Sequence, residues 1–527
     1  MFGFEGENAR EKVIVLLTMC FALAMAMLDN TVVNVALPSI QKDLGAGFSE
    51  LQWVVDGYVL AFASLLLTGG IIGDRYGRKK MFLAGVGVFT VFSFLCGVSQ
   101  NPSQLIAFRA LQGVGGALLI PGTLSILTVT FPVNERAKAL GIWAGVSGIA
   151  LALGPTLGGY MVEHLGWQSV FFLNVPIGIV ALIVAVRTVT ESVSEVERQL
   201  DVWGLVLGTA ALFFVTYGLI EANQLGWSST RIVGSFVLFA VFLVTFLWWE
   251  IRNEHAMMPM RYFRVPAFSA GNAVAFSIGL GMFATFFFLT IYMQTIHGYS
   301  PFRAGAAFLP LTLAIIVTAP NAGRYASEHG SRAPMTYGLI LTGTGLLLLG
   351  VLLTPTTSYW VMFPIYLIMG HGMGATMAPM TAAVMNSVGP QRAGLGSAMT
   401  NTSREVGGVL GIALLGAILT TELKSAFAPA VAGLGLNAQQ LGVINDAAKH
   451  GSLVTTGIGL SPGQTSTLQQ AFDDAFMKGF HPALVLAGAI VLLAAVIANR
   501  LIPGRETVAE AHAAAAADHT EPVPVES

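Results

Sequence analysis

The chain has 527 residues, of which 54% are hydrophobic and only 10% charged, and its formal net charge is −2. Soluble domains normally carry about 25% charged residues, so this composition excludes an ordinary soluble protein. The near-neutral charge gives no electrostatic basis for nucleic-acid binding. Cys20 and Cys96, the only cysteines, both lie in apolar stretches, so they predict neither a disulfide framework nor a metal site.

Apolar stretches of membrane-spanning length recur along almost the whole chain, which predicts an all-α polytopic membrane protein. The first stretch is too long for the core of a signal peptide and lacks a small-residue cleavage site. Hydropathy predicts fourteen helices with the approximate limits 13–37, 50–71, 80–98, 104–126, 138–161, 169–187, 202–221, 231–250, 268–293, 304–321, 334–353, 359–382, 400–420 and 480–500.

The Lys and Arg residues indicate which side of the membrane each connection faces. With the N-terminus inside, the inner segments hold nineteen of the 26 basic residues and Arg109 lies within a span. The outer segments hold six, namely Lys42, Arg231, Arg303, Lys424, Lys449 and Lys478. Basic residues concentrate in cytoplasmic loops. We therefore expect a multi-pass protein of the cytoplasmic (inner) membrane with both termini in the cytoplasm.

Two acidic residues lie at membrane depth in the first two predicted spans. Asp29 stands in "MLDNTVVNVALP" (27–38) and Asp56 in "WVVDGYVL" (53–60). A carboxylate at the bilayer centre costs about 2.5–3.5 kcal/mol even on insertion scales. Asp29 therefore needs a water-filled cavity or a cation. Either acid could load and release protons, or Asp29 with Asn34, and Asp56 separately, could only cap or cross-link helices.

The connection between the second and third spans, "GDRYGRKK" (73–80), combines an acid with a basic cluster. Positive-inside anchoring explains part of that cluster, but it explains neither the acid nor the glycines at close-packing spacing. The residues of interest here are Gly70, Asp74, Arg75, Gly77 and Arg78.

The fourth and fifth spans contain a buried cation and a series of small residues. Arg109 is followed by Gln112 and by glycines that would admit a neighbouring helix; the alternative is that Arg109 snorkels to the nearby interface. Small residues four apart let helices touch closely, and proline removes a backbone hydrogen bond. The fifth span has such a series in Gly141, Gly145, Gly154, Pro155, Gly158 and Gly159.

The second half repeats the first. "GVGGALLIP" (113–121) aligns without gaps with "HGMGATMAP" (371–379), and "GIIGDRYGRK" (70–79) has a worn copy in "GRYASEHGSR" (323–332). Spans 1–6 thus repeat as spans 9–14, with spans 7 and 8 inserted between them. Arg109 aligns with Leu367, so the buried charge belongs to one half only. Parallel six-helix repeats are a transporter design with the substrate site between the halves.

The repeat divides the chain into an N-terminal six-helix bundle (1–187), the inserted helices with their linkers (188–267), a C-terminal six-helix bundle (268–502) and a disordered cytoplasmic tail (503–527). The C-terminal bundle includes a long outer loop (421–479). The predicted substrate cavity is lined by aromatic, amide and Met side chains, which suit varied lipophilic compounds. Its residues are Asn34, Gln112, Phe287, Tyr292, Gln294 and Met373, although such side chains more often pack against lipid or neighbouring helices.

Four stretches in the first half resemble the motifs of one family, the major facilitator superfamily, in its fourteen-span drug/proton antiporter branch. They are "LDNTVVNVALP" (28–38), "GGIIGDRYGRKK" (69–80), "LIAFRALQGVGGA" (105–117) and "GIWAGVSGIALALGPTLGGY" (141–160), the last departing from the pattern at Ala150. The resemblance implies the major facilitator fold with two inserted helices. It also implies that Asp29, with Arg109 and Asp56, couples transport to protons. The residues from Gly70 to Arg78 are implied by the same resemblance to form a gating loop, in which Asp74 meets the start of a helix of the opposite half near 398–404.

The function implied by this resemblance is proton-coupled efflux of lipophilic, in some cases cationic, drugs or secondary metabolites by a monomeric protein that is not an enzyme. No Gly-Lys pair occurs, so the chain has no phosphate loop for ATP, and no cofactor or metal is expected. One alternative is a symporter or facilitator that imports a nutrient, against which the glycine and proline pattern of the fifth span argues. The other is a membrane enzyme or receptor, for which no H-E-x-x-H motif is present.

Overall fold

We describe the fold from a computed structural model of the full chain. The structure describes residues 9–193, 199–388, 393–432 and 460–504, together with 434, 436–437, 440–442 and 444. Thirteen helices in this part of the chain are long and apolar enough to cross a membrane, and a bent helix adds a fourteenth. The protein is therefore a multi-pass membrane protein, as predicted.

In the described part of the chain, fourteen helices of membrane-spanning length, numbered in chain order, form the bundle. The N-terminal half comprises α1 (Ala9–Leu44), α2 (Phe48–Tyr76), α3 (Arg78–Gly97), α4 (Pro102–Thr130), α5 (Val133–Leu165) and α6 (Ser169–Thr188, interrupted at Leu173). The inserted pair is α7 (Val202–Leu225) and α8 (Thr230–Arg252). The C-terminal half comprises α9 (Pro266–Ile296), α10 (Pro301–His329), α11 (Arg332–Leu352), α12 (Tyr359–Val388), α13 (Ala393–Ala432) and α14 (Pro462–Leu501).

Side-chain caps set several helix starts. Asn101, Asp201 and Ser229 each accept a hydrogen bond from a backbone N–H in the first turn of α4, α7 and α8, which satisfies donors that the helix leaves free. Ser461 caps α14 in a capping box with Gln464. The stretch "GLSPG" (459–463) has the spacing of a hydrolase nucleophile motif, but Ser461 serves here as a helix cap.

Helix α5 bends by 43° between Lys138–Leu151 and Leu153–Leu165. Pro155 cannot donate to the carbonyl of Leu151, and such a gap in the ladder is a known cause of kinks. The Thr31 hydroxyl of α1 donates to this carbonyl at 3.3 Å. The sequence of α5 therefore creates a bend, and α1 satisfies the polar group that the bend leaves free.

The same pattern of helix neighbours occurs in both halves. In the N-terminal half α2 and α3 pack against α4, and α1 packs against α5; in the C-terminal half α10 and α11 pack against α12, and α9 packs against α13. Helix α3 packs against α6 as α11 packs against α14. The halves meet along two seams, α2–α13 and α5–α10. These equivalent contacts agree with the predicted repeat.

The inserted helices cover only one of these seams. Helix α7 packs against both α2 and α13, whereas α8 packs mainly against α7 and exposes large apolar side chains such as Val241, Val244 and Ile251. A helix with so many exposed apolar residues is suited to face lipid.

The helices around the predicted outer loop are longer than the hydropathy limits indicated. Helix α13 continues to Ala432 and α14 begins at Pro462, because the added turns pack together: Phe427 and Phe472 lie edge to face with ring centroids 5.8 Å apart. The middle of the predicted loop (445–459) and the predicted tail from residue 505 onward lie outside the described residues.

Candidate functional site

A buried ion pair joins α1 to α4 inside the N-terminal half. Nη1 of Arg109 donates to Oδ2 of Asp29, and the side chains are 1% and 0% exposed, respectively. Gln112 donates to the other carboxylate oxygen at 3.0 Å and accepts from Arg109 at 2.9 Å. Of the two alternatives for Asp29, a water-filled cavity or a cation, this conformation shows the cation. Snorkelling of Arg109 to the interface was the wrong alternative, because its charge is satisfied within the bundle.

Helices α3 and α6 complete the surroundings of this pair. The amide of Asn174 donates to Oδ1 of Asp29 and to the Ser93 hydroxyl, both at 2.9 Å. Ser93 in turn donates to the Phe171 carbonyl at 2.9 Å. A buried ion pair is stable only where further hydrogen bonds satisfy its remaining groups. Asn174 and Ser93 supply such bonds, and neither residue was singled out in the sequence.

Tyr58 covers the guanidinium of Arg109. The Cζ atom of Arg109 lies 4.2 Å from the centroid of the Tyr58 ring. The Nε of Arg109 donates to the carbonyl of Val54, which lies on α2 with Tyr58, at 3.1 Å. A cation held over an aromatic face gains about 2 kcal/mol or more when desolvated. Arg109 therefore fastens α1, α2 and α4 together through one side chain.

Asp56 is equally buried but has no partner. Its side chain is 0% exposed, and neither carboxylate oxygen has a hydrogen-bond partner among the described residues. Asp56 lies one helical turn from Gln52, whose amide donates to the Ile412 carbonyl of α13 at 2.8 Å, so both residues are on the same face of α2. Asp56 is therefore an unpaired acid beside the seam between the two halves.

A second acid on the other side of this seam was missed in the sequence. Glu405 of α13 is 1% exposed, and its Oε1 accepts from Arg404 at 2.9 Å. Its Oε2 is buried without a partner among the described residues. "NTSREVGG" (401–408) starts with a polar run that reads as a helix end. A Glu inside an otherwise apolar predicted span was the signal that could have found it.

In the predicted gating loop, Asp74 forms hydrogen bonds only with residues of its own, N-terminal half, among the described residues. Asp74 accepts from Arg78 of α3 at 2.9 Å and from Ser125 of α4 at 3.4 Å. Among the described residues these are its only hydrogen-bonding partners. The expected contact with the start of α13 is thus not made in this conformation. Arg75 lies over the ring of Tyr76, 5.6 Å from its centroid, and Gly70 lies beside Pro121.

Glu191 holds the turn between α2 and α3. Both of its carboxylate oxygens accept from backbone N–H groups of Lys79 and Lys80, at 3.1 and 3.2 Å. A carboxylate at a helix N-terminus is favoured by the helix dipole. Gly77 has φ +114°, and a Cβ there would lie only 2.8 Å from Oε1 of Glu191. The positive φ therefore favours glycine at this turn, whereas the exposed Glu191 carboxylate could move aside for a Cβ.

The glycines of α5 fall into two groups. A Cβ at Gly158 would collide with Val32 of α1, and a Cβ at Gly159 would lie 2.8 Å from Phe302 of α10. Gly154 likewise adjoins Thr31. By contrast, a Cβ at Gly141 or Gly145 would meet no described atom within 4 Å. The prediction of close packing along the whole series is wrong for these two, because they lie on a face of α5 that no described neighbouring helix touches, although Trp143 on the same segment bonds Thr123 of α4.

Four hydrogen bonds that join the two halves lie toward one end of the bundle. We call the end of the bundle with Arg75 and Arg78 the basic end and the other end the opposite end. These four hydrogen bonds lie toward the opposite end. They join Gln52 to Ile412, Gln294 to Val35, Thr156 to Gly305 and Phe302 to Glu163. The halves are therefore fastened at the opposite end, and Gln294 contributes to this closure.

The residues predicted to line a substrate cavity lie in different places. Gln112 belongs to the Asp29–Arg109 network, and Phe287 packs edge to face with Phe48. Tyr292 donates to the Thr354 carbonyl at 2.6 Å and stacks on Phe480 within the C-terminal half. Asn34 bonds its own helix at Asn30, with Oδ1 buried and unpartnered, and Met373 is fully buried in the core. The structure does not bring these six residues to one cavity.

Comparisons with known proteins now identify the family. The family model of the "Major Facilitator Superfamily" matches residues 19–412. The chain belongs to the Major Facilitator Superfamily. As a member of this superfamily it is a transporter and not an enzyme, as the motifs implied.

Curated relatives of this chain include resistance proteins and a "Riboflavin transporter RibZ" of Clostridioides difficile, which is 31% identical over 79% of this chain and 90% of its own length. The "Tetracenomycin C resistance and export protein" of Streptomyces glaucescens is 35% identical, covering 92% of this chain and 90% of its own length. The "Methylenomycin A resistance protein" of Bacillus subtilis is 36% identical over 77% of this chain and 87% of its own. A solved bacterial homologue of the human lysosomal transporter Spinster, in an inward-facing and unoccupied conformation, has TM-score 0.62 and 16% identity over 95% of this chain and 99% of its own; this likeness shows the fold.

Proposed function

We propose that this protein exports lipophilic compounds, cations among them, across the cytoplasmic membrane in exchange for protons. Such compounds would be drugs or secondary metabolites, and the route would be alternating access between the two halves. The names of the resistance and export relatives support export. One proton that falls through 100 mV releases about 2.3 kcal/mol, which is adequate drive.

The observation that carries this proposal is the contrast between two buried acids in one bundle. Asp29 is neutralised by Arg109, whereas Asp56 has no partner. An unpaired buried carboxylate is expensive, so it holds a proton or accepts a cation. In the proposed cycle Asp56 is protonated in this conformation and Asp29 is ionised. Protonation of Asp29 would release Arg109 and loosen the contacts that join α1, α2 and α4.

Export is tested by the direction of transport. Everted membrane vesicles that contain the protein should accumulate an exported compound when their interior is acidified, because protons leaving the vesicle drive the compound inward. A panel of lipophilic cations and neutral antibiotics would define the substrate class. Accumulation only in right-side-out vesicles, stimulated by external acid, would instead establish uptake by symport and refute export.

The proposed orientation, with both termini in the cytoplasm, has a separate test. The basic residues at the end with Arg75 and Arg78 support a cytoplasmic location for that end. A reporter that is active only outside the cytoplasm should be active when fused within 421–479 and silent when fused after Arg505. The reverse pattern would overturn the orientation and the assignment of 69–80 as an inner loop.

We further propose that the gating loop closes the basic end in the other conformation. Asp74 would then exchange Arg78 for the N-terminus of α13, where the helix dipole is worth about 0.3–1 kcal/mol to a carboxylate. Asp74→Asn should shift the protein toward the conformation seen here, in which the halves are fastened at the opposite end. Labelling of engineered cysteines at both ends would measure the shift, and unchanged labelling would leave Asp74 as a local partner of Arg78.

A further inference from the structure

A polar cavity of about 580 Å³ lies in the C-terminal half, at the end of the bundle opposite the basic end. The α9–α10 connection and the first turn of α10 contribute His297, Tyr299 and Arg303 to its wall. The α11–α12 connection and the start of α12 contribute Thr356, Ser358 and Trp360. The cavity is far in the sequence from the acids of the transport site, and nothing in the proposed export cycle uses it.

Two basic side chains face this cavity without a counter-charge. Arg303 lies over the ring of Tyr299, 3.9 Å from its centroid. In the described part of the chain no carboxylate lies within ion-pair distance of Arg303. Half-burial and the charge of Arg303 lower the pKa of His297 below its ordinary value. The uncompensated charge of Arg303 in a concave site attracts anions, and His297 adds a second charge when it is protonated.

Hydroxyl groups and aromatic rings complete the wall. Thr356 and Thr357 lie in a turn in which the Thr357 hydroxyl is 2.8 Å from that of Thr354. Trp360 is 74% exposed, and Ala306 and Ala307 add a small apolar floor. Exposed Trp and Tyr side chains are characteristic of the membrane–water interface, where their rings lie at headgroup level. The cavity therefore opens where lipid headgroups lie.

We propose that this cavity binds a phosphate group, that of an anionic phospholipid headgroup at the membrane surface. A guanidinium presents several N–H donors in a planar fork that matches phosphate oxygens. The Thr and Ser hydroxyls supply further donors, and the alanines and Trp360 accommodate the start of the glycerol and acyl region. Free inorganic phosphate offers the same chemistry without the apolar part, so the two sources are distinguishable.

The charge on His297 gives this site a pH dependence. A bound anion favours the protonated imidazole, so affinity is highest at low pH and falls as pH rises through the pKa of His297. His297 Nε2 lies 2.8 Å from the Tyr292 hydroxyl. The other titratable and charged side chains on the elements packed around His297 are Tyr299, Arg303, Tyr359 and His481. Glu163 of α5 also lies nearby, because it accepts a hydrogen bond from the Phe302 backbone.

The test is lipid binding to the purified full chain in an uncharged detergent. Retained phosphatidylglycerol and phosphatidylcholine are counted by native mass spectrometry, with inorganic phosphate as a competitor, between pH 5.5 and pH 8. We expect selective binding of phosphatidylglycerol that weakens at the higher pH. Arg303→Gln should weaken it about tenfold, as ~1.4 kcal/mol would. Arg231→Gln removes an exposed arginine in the first turn of α8, at the same end of the bundle as the cavity. This variant should leave phosphatidylglycerol binding unchanged.

His297→Gln separates this site from general attraction to anionic lipid. The variant should bind phosphatidylglycerol at pH 5.5 as weakly as the native chain does at pH 8, with no further pH dependence. Displacement by inorganic phosphate at equal concentration would show that free phosphate is the ligand. Equal retention of the two lipids, or unchanged phosphatidylglycerol binding by Arg303→Gln, would overturn the proposal.

Discussion

The polar network around Asp29 illustrates what one buried residue demands of its neighbours. The sequence predicted that Asp29 needs a cation or water and that Arg109 is a buried charge, and both expectations meet in one ion pair. Gln112 was predicted as a cavity residue and instead bonds both partners. The network is closed on every side by α2, α3 and α6, so each member constrains the position of the others.

Removal of the cation should reveal how strongly this network depends on charge balance. Arg109→Leu, which copies the repeat position Leu367, leaves Asp29 buried and unpaired, so we expect a loss of about 3–5 kcal/mol in the free energy of unfolding. The double variant Asp29→Asn with Arg109→Leu should recover part of this loss. Thermal unfolding in detergent measures both. A double variant no more stable than Arg109→Leu would mean that the arginine acts by packing alone.

Some residues of the site could not be predicted because their roles depend on contacts between distant helices. Asn174 lies 145 residues from Asp29 in the sequence, and nothing in its own helix marks it as a partner. Glu405 was overlooked because a charged run at a predicted helix end normally faces water. The unpaired state of Asp56 could also not be read from the sequence, because it depends on what α13 presents across the seam.

Helix α5 shows at the scale of one element which glycines are structural. Gly154, Gly158 and Gly159 of α5 lie against α1 and α10, whereas Gly141 and Gly145 face open space. The sequence predicted the kink and the small-residue series, because proline and glycine have local effects. It could not separate the two groups of glycines, since their environments depend on where the neighbouring helices run.

This division predicts unequal effects of the same substitution. Gly158→Val should destabilise the protein by about 1–3 kcal/mol, since a side chain there overpacks the contact with Val32. It should also raise leak through the opposite end. Gly145→Val, the matched control in open space, should change stability by less than about 0.5 kcal/mol. Thermal unfolding and passive dye leak measure the two effects, and equal losses in both variants would contradict the assignment.

Helix α7 ties the two halves together at the opposite end. Its Glu221 accepts from Trp53 of α2 at 2.9 Å, and its Asn223 donates to the Ala417 carbonyl of α13 at 2.8 Å. Thr421 of α13 donates to the amide oxygen of Asn223 at 2.7 Å. The α2–α13 seam can part at this end only if some of these bonds break. The inserted pair is therefore more than a spacer between the repeats.

Weakening this connection should favour opening at the opposite end. Asn223→Ala removes the side-chain bonds to α13, leaving the bond from Lys424 to the backbone carbonyl, and should increase the labelling of a cysteine placed in the α2–α13 seam at that end. Gln224→Ala, an exposed neighbour on the same helix, is the matched control. The expected change is a shift of about 1 kcal/mol in the conformational equilibrium, the typical contribution of one hydrogen bond. Equal labelling of the two variants would show that α7 does not restrain the seam.

The molecule as a whole is a two-fold repeat with an asymmetric addition. The sequence predicted the parallel halves, because the copied motifs keep their spacing and orientation, and it predicted the insertion from the two spans left over. It could not predict that α7 covers only the α2–α13 seam and leaves α5–α10 uncovered. That choice depends on packing between helices rather than on periodicity within them.

Proton coupling through Asp29 is the central proposal, and one measurement tests it directly. Proteoliposomes that enclose a pH-sensitive dye are mixed with a transported compound, and substrate-induced proton movement is followed at several pH values. In proteoliposomes of the native chain, entry of the substrate should be accompanied by movement of protons out of the vesicle. Asp29→Asn removes the counter-charge of the buried Arg109, at a cost of about 3–5 kcal/mol in the free energy of unfolding, so thermal unfolding must first show that the variant is folded. The folded variant should move no protons although downhill exchange survives. Glu254→Gln, an exposed acid at the basic end, should behave as the native chain. Native coupling in Asp29→Asn would contradict the proposal and leave Asp29 a structural acid.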